Sequence, residues 1–352
     1  MADGVTIAVD AMGGDFAPKA AIEGALMAVL DDGARVILVG DDEVIAHERR
    51  RLGDSGWLTE GRLVVEPASE VVAMDEPAVA VRSKRQASVR VCARLVREGR
   101  ARAMVTAGHT GAAMIAAKTV IGTAPGVDRP ALAAIFPSVG GKTVVLDVGA
   151  NLDAKVRHLR QFAVMGHFYA QEMVGNPEPR IGLLSVGEEE GKGTDRLRKV
   201  YQVLKKTGLN FVGNVEGHDI FSGTVDVVVC DGFVGNAVLK GSEALARYVA
   251  GVLREELEGT VRSRLASLAA APALRRFRDR VDFSEYGAAP LLGVRGGCFV
   301  GHGSSSATAI RNAVRRALEF SDLDVDAKIE ERVADLHLQE ARIFGDTAGE
   351  PS

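Results

Sequence analysis

Six short turns hold most of the residues that could do chemistry, each mixing glycine with hydroxyl, amide, imidazole or acidic side chains. Four of them are Asp10-Ala11-Met12-Gly13-Gly14-Asp15, Thr106-Ala107-Gly108-His109-Thr110-Gly111, Asp147-Val148-Gly149-Ala150-Asn151 and Ser185-Val186-Gly187, which runs on through three glutamates to Lys192-Gly193-Thr194. The other two are Cys230-Asp231-Gly232-Phe233-Val234-Gly235-Asn236 and Gly301-His302-Gly303-Ser304-Ser305-Ser306. Glycine lets the backbone bend so that amides and a helix N-terminus face an anion at close range. A single such turn is often a plain tight bend. Six of them describe a polar, glycine-lined cleft suited to a phosphate group.

Two nucleotide motifs come close and fail. Gly187 to Thr194 has its glycine pair one residue too close for a P-loop, and Gly193 follows the lysine where Ser or Thr is needed. Gly13-Gly14 lacks the G-x-G-x-x-G spacing of a dinucleotide site. Cys230 and Cys298 have no partner histidine in the sequence, so both read as small apolar fillers rather than nucleophiles. Asp10, Asp15, Asp147 and Asp231 offer oxygens for a divalent ion, but strand-end carboxylates also brace loops by accepting amide hydrogen bonds. Bracing is the favoured reading, and neither a metal nor a cofactor is expected.

The elements that position these turns alternate. Apolar, β-branched runs at Val5–Asp10, Arg35–Val39, Leu63–Val65, Ala103–Thr106, Leu132–Phe136, Thr143–Asp147, Ile181–Val186 and Val225–Cys230 are separated by helical spacing at Pro18–Leu30, Pro77–Arg97, Lys155–Val174 and Thr194–Lys206. Strands without in–out alternation are buried on both faces, and strand–helix alternation implies a mostly parallel sheet. Ligands then bind beyond the strands' carboxyl ends, which places all six turns along one sheet edge. The expected unit is a single large α/β domain over 1–345, either undivided or as two lobes sharing a cleft, with 346–352 as a disordered tail. From Val238 to about Arg280 no strand is evident. Leu253, Leu257, Val261, Leu265 and Leu268 make an apolar stripe among Arg254, Arg262, Arg264, Arg275, Arg276, Arg278 and Arg280, read as a helical hairpin over 240–282 that bends near Ala271-Pro272. It is either a protruding basic amphipathic element or a helix pair packed on its own domain or a dimer mate.

Composition narrows the classes. With 352 residues and 47% hydrophobic content the chain can bury a full core, and 26% charge is ordinary. A net charge of −4 gives no global pull towards nucleic acid, and 5% aromatics, with the single tryptophan Trp57, disfavour a base-stacking surface. Three dispersed cysteines suggest neither disulfides nor zinc. The absence of an apolar run of about 20 residues leaves only peripheral membrane contact, and a cytosolic location is expected.

Taken in order, the turns resemble the bacterial phosphate acyltransferases (acyl-[acyl carrier protein]–phosphate acyltransferases, PlsX type). The resemblance spans nearly the whole chain and is carried by Val9–Asp15 with Pro18, Thr106–Ala112, Asp147–Asn151, Leu184–Glu189 with Lys192-Gly193, Gly213–Gly217, Asp226–Asn236, Tyr286–Gly293 and Gly303–Ser305. His109 stands where the family pattern has asparagine, and Ala288 where it has a second glycine. The resemblance implies a three-layer α/β/α fold like those of phosphotransacetylase and isopropylmalate dehydrogenase. It also implies a homodimer, peripheral membrane association, and transfer of a fatty acyl group from acyl carrier protein to inorganic phosphate for phospholipid synthesis. A phosphotransacetylase-like reaction on coenzyme A thioesters and a non-catalytic membrane scaffold are the alternatives.

On that reading phosphate is itself the nucleophile and needs only placement against the thioester. Asp10, Gly13, Gly14, Asp15, Thr106, Gly108, His109, Thr110, Gly111, Asn151, Ser185, Gly187, Ser304 and Ser305 are the candidate phosphate contacts. Lys192, Asn236 and Asp231 are the candidate catalytic residues, the first two orienting phosphate or stabilising the oxyanion. The plain alternatives are a surface lysine neutralising Glu188, Glu189 and Glu190, and an N-cap after Gly235. Arg82, Lys84 and Arg85, or the hairpin arginines, are the candidate docking cations for an acidic carrier protein.

Overall fold

The computed structural model describes residues 4–53, 61–281 and 288–344. Trp57, Tyr286 and the tail after Phe344 lie outside them. All eight runs read from the sequence are strands: β1 (Thr6–Asp10), β2 (Arg35–Gly40), β3 (Leu63–Pro67), β4 (Ala103–Thr106), β5 (Ala131–Ser138), β6 (Gly141–Leu146), β7 (Ile181–Leu184) and β9 (Val227–Val229). Three more were not foreseen: β8 (Phe211–Val215), β10 (Ala289–Leu292) and β11 (Gly297–Val300). Together they make one 11-stranded sheet in the order β3-β2-β1-β4-β11-β10-β5-β6-β9-β7-β8.

Alternate strand residues feed a core on each face. Ile7, Val9, Val227 and Val229 pack on one side with α1 (Lys19–Asp31), α5 (Val156–Tyr169), α6 (Asp195–Leu204), α10 (Ala307–Asp322) and α11 (Val325–Phe344). Ala8 and Val228 pack on the other with α3 (Ser88–Arg97) and α4 (Thr110–Ala116). This is the expected α/β/α sandwich. The short α2 (Asp42–Leu52) follows β2, and α7 (Asp219–Ser222) follows β8.

Strand direction overturns one expectation. β1, β2, β3, β4 and β11 run parallel, and so do β6, β7, β8 and β9. Between the two groups, β11–β10, β10–β5 and β5–β6 are all antiparallel. Three reversals leave the groups pointing in opposite directions, so the six turns occupy two edges of the sheet. The turns after β1, β4 and β11 form one edge, here the β4 edge. The turns after β6, β9 and β7 form the other, the β9 edge. The nearest strands of the two sets, β11 and β6, are three places apart, about 14 Å across the sheet.

The hairpin consists of α8 (Gly232–Glu258) and α9 (Val261–Val281). It bends at Gly259-Thr260 rather than at Ala271-Pro272, and Pro272 lies inside α9. The bend is fixed by reciprocal capping: Thr260 Oγ1 accepts from the Ser263 amide, and Ser263 Oγ accepts from the Thr260 amide, both at 3.0 Å. Within α8 the buried residues are Gly232 and Gly235 at its base. Leu253 and Leu257 of the predicted stripe are half-buried, whereas the Val261, Leu265 and Leu268 side chains, like those of Arg275, Arg278 and Arg280, lie outside the described residues. A second apolar face, Leu245, Tyr248, Val249 and Val252, is exposed.

Candidate active site

On the β4 edge three turns interlock. Asp10 is 3% exposed, and its carboxylate accepts from Thr106 Oγ1 at 2.7 Å and from the Met12 amide at 3.1 Å. Thr106 Oγ1 in turn accepts from the Gly108 amide at 3.0 Å. Asp10, Thr106 and the Gly108 amide thus hold one another and form the frame of the cradle rather than its inner surface. Burial pushes the Asp10 carboxyl above its ordinary range, and hydrogen bonds from Ser88, Thr106, Met12 and Gly13 pull it back only in part. Ser88, at the start of α3, had no motif to mark it.

The glycines allow this close approach. A Cβ on Gly13 would come within 2.7 Å of Asp10 Oδ2 and 2.8 Å of the Gly108 nitrogen. Gly14, at φ 112°, packs on Ala107 and the Gly303 carbonyl. The Asp15 amide donates to the Gly303 carbonyl at 2.8 Å, and the Gly301 amide to the Thr106 carbonyl at 2.8 Å. The Asp15 side chain is exposed and lies against Gly303.

His109 caps α4: its Nδ1 accepts from the Gly111 and Ala112 amides at 3.1 and 3.4 Å. An asparagine oxygen makes this kind of contact at an N-cap, so the departure from the family pattern keeps the job and changes the atom. Ala288 needs no left-handed backbone, because Asp324 is the one non-glycine residue with positive φ among the described residues. Thr110 opens α4, and Gly111 packs on Ala78 of the 3-10 turn that carries Arg82. Ser306 caps the 16-residue α10. Ser305 is buried, while the exposed Ser304 lies 2.8 Å from His302 Nδ1, which also accepts the Ser304 amide. That pairing makes Nδ1 the acceptor and leaves the neutral ring's proton on Nε2. An open cavity of about 590 Å³ adjoins this edge, lined by Phe16, Pro18, Lys19 and Ser306 among others.

The β9 edge is built differently. Asp147 is fully buried and accepts from the Leu132, Gly149, Ala150 and Asn151 amides and from Asn151 Nδ2, all within 3.1 Å. Burial raises its carboxyl above the ordinary range, with those donors working against the rise. Asn151 spends its other amide hydrogen on the Pro130 carbonyl, so it braces the turn. Asp231 caps α8 by accepting from the Val234 amide at 3.0 Å and pairs with Arg196 at 2.6 Å. Arg196, a residue the sequence did not single out, also holds Asp153 and the Ala154 carbonyl. The bracing reading of the acidic residues therefore suits Asp10, Asp147 and Asp231.

Asn236 lies one turn inside α8, so Asp231 and not Asn236 is the cap. Its amide carbonyl faces Gly149, where a Cβ would meet Asn236 Oδ1 at 3.7 Å. Lys192 is exposed, its stem lying over Gly187. Ser185 Oγ sits against Gly193, buried, with no hydrogen-bond partner among the described residues. Asn236 and Gly149 thus approach each other beyond β9 and β6, while Lys192 lies over Gly187 beyond β7. The Cys230 thiol is buried against the Asp147 carbonyl and raised well above its usual value by burial, and Cys298 is pushed up to about 12 by burial. A thiolate nucleophile needs the opposite shift. Glu188, His218 and Asp219 bring ligand atoms within 4.8 Å of one another, but Asp219 already accepts from the Glu216 amide and Thr224 Oγ1.

Close-packed glycine turns, helix N-termini and buried braces at strand ends define an α/β/α enzyme built to handle an anion. The fold is also that of a phosphotransacetylase from Streptococcus pyogenes (TM-score 0.62, 16% identity, 90% of this chain and 94% of that one) and of EutD phosphotransacetylase from Staphylococcus aureus (TM-score 0.57, 15% identity, with the same coverage). Residues 5–328 match the family described as fatty acid synthesis protein, and the chain belongs to that family. It is 49% identical over 314 residues to the phosphate acyltransferase of Pelotomaculum thermopropionicum, covering 89% of this chain and 90% of the relative. With the phosphate acyltransferase of Aquifex aeolicus it shares 45% over 323 residues, covering 92% and 95%. The chain is an acyltransferase that works with phosphate.

Proposed function

We propose that the protein transfers a fatty acyl group from the thioester of acyl carrier protein to inorganic phosphate, yielding an acyl phosphate for phospholipid synthesis. The observation that carries this reading is the β4 edge, where Gly13, Gly14, the capped start of α4 and the capped start of α10 converge around the Thr106–Asp10 frame. Backbone amides and aligned helix dipoles at such a place favour a small polyanion.

Phosphate held there presents an oxygen to the thioester carbon. The C–O bond forms as the C–S bond breaks, and the proton of hydrogen phosphate ends on the departing carrier thiolate. No covalent enzyme intermediate is required, in keeping with the raised cysteine thiols. Lys192 and Asn236, on the β9 edge, are the proposed source of charge and a hydrogen-bond donor for the oxyanion, a role that requires that edge to be brought to the phosphate. The adjoining cavity with Phe16, Ala17, Pro18 and Ala20 on its wall receives the start of the acyl chain. Exposed Arg82 and Arg85 beside α4 face the acidic carrier protein. Lys84 is removed from that set, because its ammonium is held by Glu76 and the Val71 carbonyl at 2.7 Å. The exposed Arg254, Arg262 and Arg264 at the hairpin bend provide a basic surface for peripheral membrane contact; among the described residues no helix is long and apolar enough to cross a membrane.

The test is purified protein with fatty acyl carrier-protein thioester, with and without phosphate, acyl phosphate being trapped by hydroxylamine. Phosphate-dependent hydroxamate is expected. Equal turnover of coenzyme A thioesters would move the donor to the phosphotransacetylase type, and no product with either donor would overturn the reading.

A further inference from the structure

We propose that His109 and His302 are ligands of the bound phosphate, each donating its Nε2–H to the anion as a neutral imidazole. The inference rests on the reading that the β4 edge holds phosphate, and it names the side-chain groups that meet the anion there.

The β4 edge is short of such groups. Its turns at 10–18, 106–112 and 301–306 contain no lysine or arginine, and the first cation beyond them, Lys19, lines the side cavity. Two of its hydroxyls are already engaged: Thr106 Oγ1 donates to Asp10, and Ser304 Oγ lies 2.8 Å from His302 Nδ1. Asp15 adds an exposed carboxylate, which opposes a dianion. Within the three turns, His109 and His302 carry the sole side-chain nitrogens. If phosphate is to meet a side-chain N–H from these turns, it meets an imidazole.

Backbone amides fix both rings in the same tautomer. His109 Nδ1 accepts from the Gly111 and Ala112 amides at 3.1 and 3.4 Å, and His302 Nδ1 accepts from the Ser304 amide at 3.1 Å. An amide N–H can only donate, so each Nδ1 is the bare nitrogen and each Nε2 holds the proton. Neither Nε2–H has a partner among the described residues. The His302 ring is exposed and the His109 ring half-buried. The two leave the sheet from neighbouring strands: Val300 pairs with Thr106, and the Gly301 amide donates to the Thr106 carbonyl at 2.8 Å. Two N–H groups oriented before the anion arrives cost it no reorganisation on binding.

The experiment compares asparagine with aspartate at each position. At 302 either residue can accept the amide two residues on, and at 109 either caps α4, so both substitutions keep the brace. Asparagine retains an N–H donor and aspartate does not. Purified variants are assayed for acyl phosphate over a range of phosphate and of carrier-protein thioester. His302→Asp and His109→Asp should lower kcat/KM for phosphate by about 10–100-fold, with the melting temperature and the KM for thioester unchanged. His302→Asn and His109→Asn should recover most of that loss. In a second measurement, wild-type protein carrying 15N-histidine is titrated with inorganic phosphate, the two rings being assigned by the signals missing from the asparagine variants. Both Nε2 signals should move and saturate together. Aspartate variants as active as the asparagine ones, or Nε2 signals that ignore phosphate, would overturn the ligand role. Thr110→Asp, which adds a carboxylate to the first turn of α4 and leaves both histidines in place, separates this from the underlying reading. Near-wild-type use of phosphate by that variant would overturn the β4-edge site itself. Loss of phosphate use there, with unresponsive imidazoles, would leave the site standing and remove the two rings from it.

Discussion

The β4 and β9 edges end strands of one sheet in two ways. At the β4 edge the side chains of Asp10 and Thr106 turn inward and lock three loops together, holding the Gly108 amide in the same frame. At the β9 edge the braces are also inward, with Asp147 gathering five donors, but the candidate groups are side chains, the exposed Lys192 and the half-buried Asn236. Backbone amides are fixed by the fold and suit a small symmetrical anion. Long side chains adapt to charge that develops during reaction. On the proposed function, the difference is between holding a substrate and stabilising a transition state.

The largest effect should come from crowding the braces. Gly235→Ala would place a Cβ 1.9 Å from the Asp147 carbonyl oxygen, and a loss on the order of 4 kcal/mol, enough to abolish a cooperative melt, is expected. Gly13→Ala has closest contacts of 2.7 and 2.8 Å and should lose about 2–3 kcal/mol. Equal melting temperatures for the two variants would break the distinction.

Next comes Lys192→Ala, which should lower kcat/KM by about 10²–10³ without moving the melting temperature, because the side chain is exposed. Asp231→Asn keeps the cap but loses the Arg196 pair, and should cost about 1 kcal/mol of stability with less than about tenfold loss of rate. A rate collapse in Asp231→Asn at unchanged stability would make Asp231 catalytic and not a brace.

A smaller effect is pH-dependent. The Asp10 carboxyl is raised from 3.8 by burial. Just above that value the folded protein keeps a proton that the unfolded chain has released, so this group's contribution to stability falls as pH rises through the window. Asp10→Asn should remove that slope in urea midpoints followed upward from about pH 4. Asp226 has the opposite sign. Burial raises it, but the hydrogen bond from Arg180 prevails and holds it below 3.8, so its stabilisation is lost as pH falls through the lowered value.

The smallest expected change is in docking. Arg82→Glu and Arg85→Glu should raise KM for the carrier protein by about three- to tenfold, a loss of about 1 kcal/mol, with the KM for phosphate unchanged. An equal change in both constants would place these arginines in the phosphate site.

Much of this was legible from residue types. Eight strands announced themselves as apolar runs ending in Gly, Asp, Ser or Thr. Strands β10 and β11 were hidden by the glycines and proline of 287–301, and β8 by the Gly-Asn pair within it. Arg196 was invisible because nothing in its neighbourhood marks a partner 35 residues away. Asn151 and Thr106 were recognisable as polar residues in important turns, but whether a polar group faces ligand or frame depends on neighbours distant in sequence.

By itself the sequence determined the two-faced core, the glycine turns, the absence of a nucleotide motif and the family resemblance, all of which depend on local composition, spacing and order. What only the tertiary structure decided was direction. The hairpin at Ser138-Val139-Gly140-Gly141 and the antiparallel β10 reverse half of the sheet, and a buried strand reads the same whether it runs up or down. Pairing between strands far apart in the chain settles that choice, and with it which turns share an edge.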